Sequence, residues 1–153
     1  HCGRLPLSLA MTLRLLTVPR LFQLQHHKIR SMSSSAANAQ PELLERVRRF
    51  FEFEKPAENV FSTSNTNTYG QQSRNAAYGG LIMAQSLAAA EMTVSSEFKP
   101  HSMHANLIIG VDTSKPVSYG VRLLRDGRSF KTRSVEAVQE GKVAFTLQAS
   151  FHT

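Results

Sequence analysis

After residue 40, the histidines are His101, His104 and the near-terminal His152, and the type and spacing of the first two could suit acid–base chemistry. An imidazole near neutral pH can act as a general base or bind a ligand. Both lie in an apolar stretch that favours a β-strand, where residues three apart point to opposite faces, so the two cannot readily form a pair or a metal site. We expect a hydrogen-bonded structural role for each, and His101 remains a candidate catalytic residue. Cys2 is the only cysteine in the sequence, and we expect no metal site.

The pair Gly79-Gly80 opens a long apolar run and marks the start of a helix. A helix N-terminus offers free N–H groups and the positive end of the helix dipole to a developing negative charge. Glycine lets a ligand approach these groups closely. Gly79 and Gly80 are therefore candidate substrate-binding residues. The alternative is that they only allow the helix to pack tightly on a sheet.

Asp126 and Gly127 form the strongest hairpin signal in the sequence, and they predict a type I′ turn. The turn role makes Asp126 a weak candidate for acid–base chemistry. Basic residues surround this turn, and Arg125 among them is a candidate for binding a substrate phosphate. The alternative is a solvated strand face. The predicted basic patch comprises Arg122, Arg125, Arg128, Lys131 and Arg133.

The elements that must position these residues follow from hydrophobic periodicity. An amphipathic helix is predicted for 41–51, with Pro41 in its first turn and an apolar stripe of Leu and Phe residues. The run 79–92 is apolar nearly all round, interrupted by Gln85, Ser86 and Glu91, which predicts a buried helix. Asn65 to Asn75 is rich in turn residues and predicts a loop. Strands are predicted for 60–64, 101–109, 117–125, 129–138 and 143–151, with a bulge between Phe130 and Val135 and a turn at Glu140-Gly141.

Charge is unevenly distributed along the chain. The formal net charge is +7, and five of the 18 basic residues precede the first acidic residue, Glu42. The balance after residue 40 is near neutral, so we expect no nucleic-acid partner. Residues 1–40 are Arg- and Ser-rich and free of acids, which is typical of a transit peptide. The alternatives are a stretch translated from an untranslated region of the transcript, or a disordered tail. No apolar run reaches the roughly 18 residues of a membrane span.

Four blocks between about Tyr78 and His152 resemble the N-terminal hotdog of type II acyl-CoA thioesterases. The blocks are Tyr78-Gly79-Gly80 with Ala84-Gln85-Ser86-Leu87, His101-Ser102-Met103-His104, Val121 to Phe130, and Gln148-Ala149-Ser150-Phe151. Their order and spacing over about 75 residues make the resemblance specific. One departure is the segment 107–112, where the family has an aromatic residue and a Pro-Gly pair.

The resemblance implies an α+β hotdog fold, in which an antiparallel sheet wraps round one long buried helix. It divides the chain into a leader, 1–40, and an N-terminal hotdog domain, 41–153. It also implies hydrolysis of acyl-CoA to fatty acid and CoA without a cofactor. In the family, the Asp, Thr and Gln that activate and position the water lie in a second hotdog, so no catalytic residue is assigned within this chain.

The resemblance further implies an acyl-CoA substrate, a second hotdog domain or a homo-oligomer as partner, and location in the peroxisome. The leader favours the mitochondrion as the alternative. The alternative function is a non-catalytic hotdog that scaffolds a partner or binds acyl-CoA without cleaving it.

Overall fold

The computed structural model describes residues 34–66 and 75–153, with side chains from residue 41 onward. Most of the predicted leader and positions 67–74 of the predicted loop lie outside this range. The elements, in chain order, are α1 (Ser34–Arg49), β1 (Glu54–Ala57), β2 (Val60–Thr63), α2 (Gly79–Glu91), β3 (Lys99–Leu107), β4 (Val117–Asp126), β5 (Phe130–Gln139) and β6 (Lys142–His152).

The strands form one sheet in the order β1-β2-β4-β5-β6-β3, and every neighbouring pair is antiparallel. The helix α2 packs against β3, β4, β5 and β6. Its residues Leu81, Ile82 and Leu87 to Ala90 are buried, together with the inward-facing residues of β4 to β6. This confirms the predicted α+β hotdog architecture, including the buried helix and the strands that enclose it.

The first helix differs from its prediction. α1 begins at Ser34 rather than Pro41, and Pro41 lies inside it. The segment before Pro41 contains Ala36, Ala37 and Ala39, and alanine has the highest helix propensity, so the helix continues through it. The proline removes one N–H group without ending the helix. The acidic residues Glu42 and Glu45 therefore lie in mid-helix.

The four-residue strand β1 was not predicted. It contains Pro56, which cannot donate a ladder hydrogen bond and is compatible with an edge strand only. β1 pairs with β2 alone and is exposed along its length. Asn59, at φ 55°, supplies the left-handed residue of the connecting turn.

The predicted type I′ turn at Asp126-Gly127 is wrong. Asp126 is the last residue of β4 and β5 begins at Phe130, so the three residues 127–129 connect the two strands. Positive φ values at both central residues, as a type I′ turn requires, occur instead at Glu140 (51°) and Gly141 (74°), where a turn was predicted. Gly127 is needed for space, since a Cβ there would lie 2.8 Å from the carbonyl oxygen of Phe130.

The predicted bulge was placed on the wrong strand. The register slips at Leu124 in β4, between the pairs Leu123–Arg133 and Arg125–Thr132. β5 itself keeps a strict alternation, with residues 133, 135, 137 and 139 buried. The apolar phase looked shifted because Arg133 occupies an inward position that hydrophobic patterning reserves for an apolar residue.

Candidate functional site

The N-terminus of α2 has no side-chain cap. Tyr78 occupies the N-cap position in an extended conformation (φ −67°, ψ 123°), and its carbonyl oxygen accepts hydrogen bonds from the N–H of Leu81 (2.9 Å) and of Ile82 (3.3 Å). Among the described residues, no acceptor contacts the amides of Gly79 and Gly80. These two N–H groups are therefore oriented along the helix axis, at the positive end of its dipole.

Each glycine at this terminus has a different neighbour. A Cβ at Gly80 would lie 2.5 Å from Cε1 of Tyr78, so the Tyr78 ring rests directly on this glycine. A Cβ at Gly79 would make only ordinary contact, 3.7 Å from Cδ2 of Leu107 on β3. Gly80 thus makes space for the neighbouring Tyr78 ring rather than for the sheet, and a side chain at Gly79 would have room beside Leu107.

Backbone hydrogen bonds hold the segment before α2 in place. Ala77 donates to the carbonyl of Val111 (2.8 Å), and Thr113 donates to that of Asn75 (2.9 Å). Gln139 in turn fixes the loop that supplies these partners. Its Oε1 accepts from the N–H of Asp112 (2.8 Å), and its Nε2 donates to the carbonyl of Asp112 (2.9 Å). The position of the glycine amides is therefore set by a buried side chain on β5.

An exposed apolar surface lies beside the helix N-terminus. Leu107 at the end of β3 is 63% exposed, and Ile108 and Ile109, which follow it, are 53% and 42% exposed. The amides of Ile108 and Ile109 both donate to the carbonyl of Ala144. These residues stand where the family has an aromatic residue and a Pro-Gly pair. They give the helix terminus an aliphatic border.

His101 lies at the other end of the sheet. The pairing of β3 with β6 slips between Pro100 and Ser102, which makes His101 the extra residue of a bulge. Leu107, beside Gly79, pairs with Phe145, whereas His101 lies opposite Phe151 and Ser150. Six strand residues separate these positions, or about 20 Å at roughly 3.3 Å per residue. His101 therefore cannot act on a group bound at the α2 N-terminus.

The expected hydrogen-bonded histidines are not observed. His101 and His104 are exposed. The ring of His101 contacts those of Phe130 (centroids 5.9 Å apart) and His152 (6.1 Å) at the end of the sheet. His101 thus makes ring contacts where a hydrogen-bonded role was predicted. Groups of three or more metal-ligating side chains are also absent from the described part of the chain.

The predicted basic patch divides into three environments. Arg133 is 1% exposed and lies beneath the C-terminal end of α2. Lys131 lies over the ring of Phe98, with Nζ 4.4 Å from its centroid. Arg122, Arg125 and Arg128 are exposed. The interpretation of all five as one solvated or phosphate-binding face is therefore wrong for Arg133, whose guanidinium is fully engaged inside the protein.

Arg133 is bound to Thr93, the residue that follows the C-cap of α2. Its guanidinium donates to Thr93 Oγ1 (2.9 Å), to the Thr93 carbonyl (3.2 Å) and to the carbonyl of Arg125 (3.0 Å). It also pairs with the Asp126 carboxylate at 2.6 Å. A buried cation at a helix C-terminus complements the negative end of the dipole. Asp126 thus serves as the partner of Arg133 and has no role in the hairpin turn itself.

Arg125 and the glycines are not brought together. Arg125 pairs with Thr132, whose neighbour on β5, Arg133, faces α2, so Arg125 points to the opposite face of the sheet. It also lies near the C-terminal end of α2. The structure does not place the predicted phosphate ligand and the predicted helix terminus in one site.

The hydrophobic pattern of the sequence did not indicate the structural role of Gln85. It was treated as an interruption of an apolar helix, yet it is 0% exposed and joins three segments. Its Nε2 donates to the carbonyls of Phe50 (2.7 Å) and Asn65 (3.0 Å), and its Oε1 accepts from the Tyr119 hydroxyl (2.6 Å). Burial raises the pKa of Tyr119 well above its usual value, so this hydroxyl remains a donor. The signal available in the sequence was a polar amide on an otherwise apolar helix.

A sheet wrapped round one buried helix, with an uncapped glycine N-terminus, defines a hotdog domain of the thioesterase class. The family model described as "Acyl-CoA thioesterase N-terminal domain" matches residues 68–152, more than half of the chain. The chain belongs to this family.

Curated relatives and solved structures agree with this assignment. The chain is 46% identical over 74 residues to acyl-coenzyme A thioesterase 8 of Mus musculus, an alignment that covers 48% of this chain and 23% of that protein. It is 39% identical over 74 residues to peroxisomal acyl-coenzyme A thioester hydrolase 1 of Saccharomyces cerevisiae, with coverage of 48% and 21%. The crystal structure of acyl-CoA thioesterase II TesB2 from Mycobacterium marinum superimposes with a TM-score of 0.60 at 33% identity, over 70% of this chain and 38% of that one. The chain thus spans less than a quarter of the length of these curated relatives.

Proposed function

We propose that this chain is a hotdog unit of an acyl-CoA hydrolase that converts acyl-CoA and water to a fatty acid and free CoA. Membership of the acyl-CoA thioesterase N-terminal domain family carries the proposal. The uncapped glycine terminus of α2 supports it chemically, because a thioester oxygen gains negative charge during hydrolysis and backbone N–H groups stabilise such charge. Leu107, Ile108 and Ile109 offer an apolar surface beside that terminus for the acyl chain.

The catalytic water is activated by a second hotdog in this proposal. The candidate acid–base groups His101 and Asp126 lie at the far end of the sheet from the glycines, and Asp126 is bound to Arg133. The unprotected sheet edge provides the place for the second unit. Among the described strands, β3 is nine residues long and pairs only with β6, whereas the opposite edge, β1, is short and carries Lys55 and Pro56, which discourage strand pairing.

Thiol release from a long-chain acyl-CoA tests the activity. We expect the isolated 153-residue chain to show no turnover at an enzymatic rate. A chimera in which residues 75–153 replace the matching part of the mouse relative should hydrolyse the substrate. Robust turnover by the isolated chain that disappears in a His101→Ala variant would place the catalytic site in this half and overturn the proposed division of roles.

Substitution of Gly79 tests the helix terminus directly. Gly79→Pro removes the N–H group while proline remains compatible with the first position of a helix, and Tyr78 already has the extended backbone that a following proline requires. Gly79→Ala keeps the N–H group and meets Leu107 at ordinary contact distance. Loss of one hydrogen bond should weaken acyl-CoA binding about tenfold in the proline variant, and the alanine variant should bind normally. Equal affinities would remove Gly79 from the site.

Binding without hydrolysis is the second candidate function, because the described part of the chain brings no acid–base pair to the α2 terminus. Acyl-CoA binding by a chimera that is well folded but releases no thiol would establish it. A phosphate contact from Arg125 is a separate proposal. An Arg125→Gln variant should weaken binding of CoA itself, whereas Arg128→Gln, which removes an exposed arginine from the adjoining loop, serves as its control.

The peroxisome is the proposed compartment, since one relative is named a peroxisomal hydrolase. The relatives lend no support to the mitochondrial alternative. A fluorescent reporter fused to residues 11–40 tests the leader, and its import into mitochondria would overturn the peroxisomal assignment. None of the described helices is both long and apolar enough to cross a membrane.

A further inference from the structure

The helix α1 presents an apolar stripe to solvent. The stripe comprises Leu43, Leu44 and Val47 of α1 and Phe50 just after its last residue, at the i, i+1, i+4 and i+7 spacing of one helix face; Val47 and Phe50 are half-buried. Leu43 is 57% exposed and Leu44 is 49% exposed. The helix is tied to the domain at its C-terminal end, where the carbonyl of Phe50 accepts a hydrogen bond from Gln85 (2.7 Å). An amphipathic helix held by one end with its apolar face outward is suited to docking on another surface.

The charges around the stripe indicate what that surface is. At 100° per residue, Arg46 lies on one border of the stripe and Arg48 on the other, while Glu42, Glu45 and Arg49 lie on the far side. Arginines at the borders can bury their stems along apolar surface while their guanidinium groups contact an anionic layer. The ion pair between Arg48 and Glu45, at 3.6 Å, is exposed on both sides and costs little to break.

We propose that α1 is an interfacial helix that docks on an anionic lipid surface. An apolar stripe with basic borders and acids on the far side is the pattern of helices that lie in the plane of a membrane surface. The residues before Glu42 include five basic and no acidic side chains, which adds to the attraction. A second copy of the chain fits less well, because pairing two stripes face to face would bring the arginine borders of one copy against those of the other. This interaction goes beyond acyl-CoA hydrolysis and does not depend on it.

Co-sedimentation of the chain with lipid vesicles tests the proposal. We expect binding to vesicles of phosphatidylcholine with phosphatidylserine, decreasing with salt, and far weaker binding to phosphatidylcholine alone. Leu43→Gln combined with Leu44→Gln should weaken binding by at least about tenfold, because it removes the apolar contact. Arg46→Gln combined with Arg48→Gln should weaken it about 30-fold, the factor for two cations at roughly 1 kcal/mol each.

Two double variants serve as matched controls. Arg122→Gln with Arg128→Gln removes the same charge from the β4–β5 hairpin, and Ile108→Gln with Ile109→Gln removes exposed apolar surface beside β3. Each should change binding by less than about threefold. The proposal is overturned if anionic vesicles do not bind the chain, or if the controls weaken binding as much as the α1 variants. A concentration-dependent dimer that the Leu43/Leu44 variant abolishes, without vesicle binding, would instead identify a second copy as the occupant. Far-ultraviolet circular dichroism confirms that each variant is folded.

Discussion

Replacement of Arg133 by methionine should destabilise the domain severely, although the sequence alone groups this residue with the basic residues of the hairpin. Methionine fills much of the space but donates no hydrogen bond. The carbonyl groups of Thr93, Arg125 and Thr132 would lose their donor, as would the Thr93 hydroxyl. A buried acceptor left unpaired costs roughly 1–3 kcal/mol. Because some of these carbonyls can be hydrated near the helix end, we expect a loss of about 3–4 kcal/mol in the free energy of unfolding.

The ion pair itself should contribute only a small part of this loss. The Asp126 side chain is 48% exposed, whereas that of Arg133 is 1% exposed. Water screens the pair from the Asp126 side, so Asp126→Asn should cost only about 1 kcal/mol. Urea unfolding monitored by circular dichroism would measure the unfolding free energy of both variants. An unchanged slope of that free energy against urea concentration would validate the comparison. A loss below about 1 kcal/mol for Arg133→Met, or equal losses for the two variants, would refute the assignment of Arg133 as the buried cap of α2.

Three further substitutions test other parts of the structure. Gln85→Leu should lower the unfolding free energy by about 3 kcal/mol, because it removes the hydrogen-bond partner of two carbonyls and of the Tyr119 hydroxyl. Tyr119→Phe removes only one of these bonds and should cost about 1 kcal/mol. Similar losses for both variants would contradict the three-way role of the Gln85 amide. Gly80→Ala should change the stability of the chain little, because the exposed Tyr78 ring must swing aside and lose its contact, but it should stabilise a Tyr78→Ala background by up to about 1 kcal/mol. Equal changes in the two backgrounds in thermal unfolding would mean that Gly80 has another role. Hydrogen bonds from Ser114 lower the pKa of Asp112 below its ordinary value of 3.8. The stability that Asp112 contributes is therefore present above pH 3.8 and is lost as the pH falls through the lowered pKa. In unfolding measured from pH 5 downward, Asp112→Asn should remove this loss of stability at acid pH.

The elements that could be predicted from the sequence are those whose apolar residues either cover all sides or alternate strictly with polar ones. The run 79–92 is apolar nearly all round, so the helix it forms must be enclosed by other elements, and here the sheet encloses it. The predicted alternation is wrong at the start of β6, where the register with β5 slips so that Ala144 is buried and Val143 is half-buried. From 145 to 151 the residues alternate cleanly, with Phe145, Leu147, Ala149 and Phe151 inward. In both cases the local pattern and the tertiary environment agree.

The features that could not be predicted depend on contacts distant in sequence. Arg133 faces inward because the end of α2 offers it carbonyl acceptors 40 residues away. A charged residue at an inward position therefore looks like a break in the pattern until the helix terminus is placed above it. β1 was missed for a related reason, since a four-residue strand containing Pro56 is stabilised by its pairing with β2.

For the candidate site, the positions of its residues were predicted only in part. Gly79 and Gly80 begin α2 as predicted, because their residue type and the apolar run after them are both visible in the sequence. Their role in substrate binding stays a prediction. Their separation from Arg125 was not visible, because the face of a strand residue depends on register, and the bulge at Leu124 changes that register. Basic residues near a turn therefore predict a positively charged surface, but they do not show which site that charge serves.

The two ends of α2 differ in a way that assigns chemistry to one of them. At the C-terminal end, the backbone N–H groups of Met92, Thr93 and Val94 donate to carbonyls of the last helical turn, and Arg133 donates to the hydroxyl and the carbonyl of Thr93. The N-terminal end has an extended N-cap without a side-chain bond and two glycine amides that no described residue accepts from. In the proposed function, the free N–H groups at this helix start bind an oxygen atom of a substrate whose apolar chain lies on the neighbouring apolar surface. A thioester carbonyl attached to a fatty acyl chain has both properties, which is why Gly79→Pro, rather than any change at His101, is the decisive substitution.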